Sequence, residues 1–128
     1  MKISHCVAAA VFCFTTPAFS QECADKSQSD KIDCLYSNLG KVDKKIEENI
    51  NENISIWQAN AKEGIPGGEE NVAAIKQSHT SWLKYREDAC NAVETSYWGS
   101  MGSGAAVALV ACKIELSEER LQFLSIEH

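Results

Sequence analysis

Several absences narrow this 128-residue chain before any motif is read. No apolar run approaches the ~20 residues that a bilayer-spanning helix requires; the N-terminal one covers only Val7 to Phe14. No stretch of useful length alternates apolar and polar residues, which argues against a β-rich fold. There is no Cys-x-x-Cys pair, the usual spacing for thiol–disulfide exchange. Histidine is scarce, and of the three, His5 lies near the start, His128 at the end and His79 alone inside a helical pattern. Positive charge is also short: 12 Lys and Arg stand against 18 Asp and Glu, a net charge of −6. An acidic surface disfavours DNA, RNA and anionic lipid and steers basic partners toward it, although acidity also serves solubility alone.

What is present begins with an export pattern. Lys2 precedes the apolar run, and Ala18 and Ser20 place small residues three and one positions before the change to Gln21-Glu22-Cys23. This is the order of a secretory signal peptide, with cleavage expected after Ser20. Phe12 before Cys13 and Glu22 before Cys23 are too large for a lipid-attachment cysteine. Residues 1–20 are thus read as removed and 21–128 as one soluble domain, periplasmic or secreted, with a net charge of −7 after loss of one lysine and no acid. A domain this small has one core and little spare stability, and disulfides formed in an oxidising compartment would reinforce it.

The mature part reads as three helices. Ile32, Leu35, Leu39, Val42, Ile46, Ile50, Ile54 and Trp57 step by three or four, with Ser29 or Asp30 as the N-cap. Gly40 and the weak helix formers Asn49, Asn51 and Asn53 leave this segment dependent on packing. The breaker-rich stretch Lys62 to Glu70 marks a first connection, Val72 to Val93 a second helix, Tyr97 to Gly104 a second connection, and Val107 to Leu124 a third helix. The fold class is all-α, a small antiparallel three-helix bundle with two disulfides.

Cysteine spacing supports that fold-back. With a turn centred on Met101, Cys90 and Cys112 each lie eleven residues away and fall side by side. Closing that loop contributes about 3 kcal/mol in the chain-entropy model. Cys23 and Cys34 on one continuous helix would be ~16 Å apart, beyond disulfide reach, so their pairing requires a bend near Ser27-Gln28-Ser29. Spacing alone leaves crossed connectivities open.

The same register sets Trp82 opposite Arg120, and Arg86 opposite Leu116 with Glu115 and Glu119 nearby. Trp82, Arg86 and Cys90 share one face of the second helix. A guanidinium over the indole, and an ion pair from Arg86 to an acid on the third helix, would brace the bundle internally. The run Trp82-Leu83-Lys84-Tyr85-Arg86-Glu87-Asp88-Ala89-Cys90, followed by Cys112 and by Leu116-Ser117-Glu118-Glu119-Arg120, resembles the signature of the lysozyme inhibitor LprI-like family of exported bacterial proteins. The match extends upstream to the Cys23 and Cys34 pair and the long helix after it. Glu87 stands where the family usually has Asp and Ser117 where it often has Thr. The resemblance implies the pairs Cys23–Cys34 and Cys90–Cys112, a structural motif of Trp82, Tyr85, Arg86, Glu87 and Arg120, and inhibition of lysozyme by at least one member.

Catalysis finds little support. Glu69-Glu70 and Glu118-Glu119 are sequence neighbours that point apart on a helix, unlike a glycosidase dyad. His79 suits a helix flank, and no metal or cofactor is implied. Binding finds more: Tyr97, Trp98, Ser100 and Met101 lie on a glycine-rich tip closed by a disulfide, a small protrusion able to fill a cleft. The competing arrangement tucks Tyr97 and Trp98 over the bundle end. The expected function is a binding module that inhibits a c-type lysozyme or another cell-wall hydrolase by steric occlusion. A periplasmic interaction, immunity or envelope-stress protein without effect on host lysozyme is the alternative.

Overall fold

The computed structural model describes residues 22–98 and 104–126. Residues 1–20, read as a leader, and the tip residues Ser100 and Met101 lie outside the described residues. Three helices account for most of the rest: α1 Gln28–Lys62, α2 Gly68–Ser96 and α3 Gly104–Leu124, each packed against both others. None is long and apolar enough to cross a membrane.

α1 buries Leu35, Leu39, Val42, Ile46 and Ile50, the stripe expected from its three- and four-residue steps. Its N-cap is Ser27, not Ser29 or Asp30: Ser27 Oγ accepts from the Asp30 backbone N–H and donates to Asp30 Oδ2 at 2.6 Å. The helix starts early because residues 22–26 form turns that bring Cys23 back over the first helical turns. There it bonds to Cys34 across a Cα separation of 5.8 Å. The bend that this pairing requires therefore lies just before the helix. Cys23 is fully buried among Leu35, Leu39, Val110 and Ile114. Asn38 is buried beside it and donates to Cys23 Sγ at 3.4 Å.

α1 ends in a Schellman motif. Gly64 adopts φ +76°, its N–H reaches Ala61 O at 3.1 Å, and the Ile65 N–H reaches Asn60 O at 3.0 Å. The helices then approach so closely that a Cβ on Gly68 would lie 2.7 Å from the Cβ of Ala61. At the other end Cys90 and Cys112 are bonded with Cα atoms 5.6 Å apart, as the fold-back about Met101 requires.

The core has two parts. One gathers Cys23, Leu35, Leu39, Val110 and Ile114; the other gathers Val42, Ile46 and Ile50, with Ile75, Trp82, Leu121 and Leu124 packed against them. Asp43 lies between Leu39 and Ile46 on α1, and Ser117 between Ile114 and Leu121 on α3. A polar layer thus separates the two apolar ones.

Candidate functional site

Arg86 is the centre of that layer and is only 7% exposed. Its Nη1 donates to Asp43 Oδ1 at 2.6 Å and to Ser117 Oγ at 2.7 Å, and Ser117 Oγ also donates to Asp43 Oδ1 at 3.1 Å. One guanidinium thereby joins all three helices. The expected partner was an acid on α3, near Glu115 or Glu119; the carboxylate comes instead from α1, and α3 supplies a hydroxyl. Glu115 and Glu119 are exposed, whereas Asp43 sits on the edge of the buried stripe, three residues before Ile46. Counting sets the two at one level: Asp43 and Arg86 are equidistant from the Gly64–Ile65 turn, the construction that sets Cys90 beside Cys112 about Met101. Such hydrogen bonds between opposite charges are stronger than neutral ones, and burial makes losing either partner costly.

Trp82 is the second hub. The Arg86 guanidinium carbon lies 4.9 Å from its ring centroid and that of Arg120 5.8 Å, so the expected meeting of Trp82 with Arg120 is present. His79 stacks on the same indole at 5.9 Å and contacts Glu47 Oε1 through Nε2 at 2.8 Å, placing it as a brace between α2 and α1. Glu87 takes Lys113 of α3 at 2.7 Å and lies 4.0 Å from Arg86. Desolvation lowers the pKa of Arg120. On α3, burial and then repulsion from Glu115 raise that of Glu118.

The motif residues therefore divide. Trp82, Arg86, Glu87 and Arg120 face neighbouring helices; Tyr85 is 59% exposed on the outside of α2. Asn38, Asp43 and Glu47 were not singled out from sequence, although Asn38 and Asp43 continue the spacing of the apolar stripe on either side of Val42. Tyr97 and Trp98 close α2 and are 45% and 71% exposed, so Trp98 is not tucked over the bundle end.

A family model described as lysozyme inhibitor LprI matches residues 22–124, which is most of the chain. The chain belongs to the lysozyme inhibitor LprI family. The matched span runs from the turn before Cys23 to the last residue of α3, so it takes in both disulfides, the Arg86 layer and Trp82. Searches of curated proteins and of solved structures give no match. Membership and the two disulfides are consistent with an exported protein of the LprI type.

Proposed function

We propose that this LprI-family protein is an exported inhibitor of a c-type lysozyme or a related cell-wall hydrolase, acting by steric occlusion rather than by chemistry of its own. The observation that carries the reading is Trp98, an indole 71% exposed where α2 ends. It stands eight residues beyond a disulfide that ties α2 to α3. A large aromatic on a braced support loses little conformational freedom when it enters a cleft, which favours binding. Tyr97, Ser100 and Met101 complete the proposed contact. The acidic net charge supplies the long-range attraction to a basic enzyme, and that component weakens as salt rises.

The test titrates the oxidised protein into a c-type lysozyme acting on bacterial cell walls, at low and high salt, beside the Trp98→Ala variant. Saturable, salt-sensitive inhibition is expected, with Trp98→Ala at least ~10-fold weaker, a loss of about 1.4 kcal/mol. The variant should keep the parent's urea midpoint, because the side chain packs against little. Full inhibition by Trp98→Ala would eliminate the tip as the contact, and no inhibition by the parent at large excess would move the function to a different envelope partner.

A further inference from the structure

α3 is shorter than its neighbours, and where it stops at Leu124 the α1–α2 hairpin runs on without a third helix. The result is an open groove of about 970 Å³, at the opposite end of the bundle from Trp98. Trp57 and Phe123 line it, and Ile56, Phe123 and Ile126 are each about half exposed. Exposed apolar surface gathered in a concavity marks a binding site more often than scattered residues do.

Polar groups interrupt these walls. Asn53 uses its Nδ2 on the backbone and side-chain oxygens of Asn49, and Asn71 uses its own on the Gly67 carbonyl. Among the described residues nothing donates to the side-chain oxygens of Asn53 and Asn71, which can therefore accept from a ligand. Arg120 holds the α3 side. Its Nη2 donates to Ser78 Oγ at 3.2 Å, and its guanidinium lies between Trp82 and Phe123, 5.8 and 5.7 Å from their centroids. Among the described residues no carboxylate lies within 4.0 Å of it, and its buried Nε has no hydrogen-bond partner. The contrast with Arg86, which shares the same indole and is neutralised by Asp43, is direct. An Arg held in place by two rings and a hydroxyl, with no counterion among the described residues, is a preformed seat for an anionic group.

We propose that this groove binds a saccharide carrying a carboxylate. Arg120 meets the carboxylate, Trp57 or Phe123 takes the apolar face of the sugar ring, and Asn53, Asn71 and Glu52, which also lines the groove, accept from its hydroxyls. An alkyl-chain acid fits less well, because its tail would desolvate the asparagine oxygens without replacing their hydrogen bonds. An extended peptide finds no strand edge among the described residues. The site is separate from the proposed lysozyme contact, and its test does not depend on inhibition.

Amide NMR titrations of the oxidised protein with four probes separate the contributions: N-acetylmuramic acid, N-acetylglucosamine, lactate and decanoate. The first combines the ring of the second with the carboxylate of the third. Saturable shifts confined to residues 49–57, 71–78 and 120–126 are expected with N-acetylmuramic acid. The next two probes should bind at least ~10-fold more weakly, and Arg120→Gln should lose a similar factor. Asn53→Ala keeps Arg120 between Trp82 and Phe123 and should also weaken binding, which covers the case in which Arg120→Gln fails to fold. No saturable shift with the sugar acid, equal binding of N-acetylglucosamine, or tighter binding of decanoate would overturn the proposal. So would a large gain in affinity in Glu127→Gln, because the natural occupant would then be the chain's own tail.

Discussion

Replacing Asp43 by Asn tests the Arg86 layer most directly. The substitution keeps the size and removes the charge, leaving a guanidinium that is 7% exposed with Ser117 as its remaining short partner. Breaking a fully buried pair costs about 3–5 kcal/mol and breaking an exposed one about 0.2–1 kcal/mol. The Asp43 side chain is 34% exposed and that of Arg86 8%, so this pair falls between the limits, and we expect a loss of about 2 kcal/mol. For a domain of roughly 100 residues that is a fall in Tm of about 8–16 °C. Urea unfolding followed by far-UV circular dichroism would measure it, within a cycle that adds Arg86→Met and the double variant. Met leaves no buried charge to be stranded, so the double variant should be more stable than the sum of the two single losses implies. A loss under about 0.5 kcal/mol for Asp43→Asn, or strict additivity in the cycle, would refute the idea that this ion pair couples α1 to α2.

Two glycine substitutions should act in opposite directions. Gly40→Ala puts a methyl into open space within α1 and should stabilise by about 0.5–1 kcal/mol, whereas Gly68→Ala drives a methyl into Ala61 and should destabilise by about 1–3 kcal/mol, both read from urea midpoints. Glu118 gives a pH signature. Its pKa is raised in the folded state above the ordinary 4.5, so its contribution favours folding below that value and is lost as pH rises through the folded pKa. Glu118→Gln should therefore raise the midpoint at pH 7 and leave it nearly unchanged at a pH well below 4.5; an equal gain at both pH values would show that charge is not the cause.

The parts of the fold legible in sequence share one property: each follows from spacing along the chain. The stripe from Leu35 to Ile50 is a local periodicity, and a single fold-back about Met101 brings both Cys90 to Cys112 and Trp82 to Arg120. Sequence is ambiguous where more than one segment competes for the same position. Ser27, Ser29 and Asp30 all have capping side chains, and Ser27 caps the helix because the Cys23 turn delivers the chain there. Arg86 had acids available on two helices. Only the rotation of α1 about its own axis decides that Asp43 faces it, because hairpin counting fixes the level of a residue and not its direction.

Sequence by itself determined that this chain forms three amphipathic helices, where they are interrupted, and that Cys90 and Cys112 fall level across the fold-back between α2 and α3, since helical period and turn chemistry are properties of neighbouring residues. The tertiary structure decided the rest. It exposed Trp98 and buried Arg86 among three helices, although both are large side chains on α2 or at its end. It also opened the groove around Arg120, because α3 ends while the α1–α2 hairpin continues. Burial, counterion choice and concavity arise from how helices of unequal length pack, and no single segment contains that information.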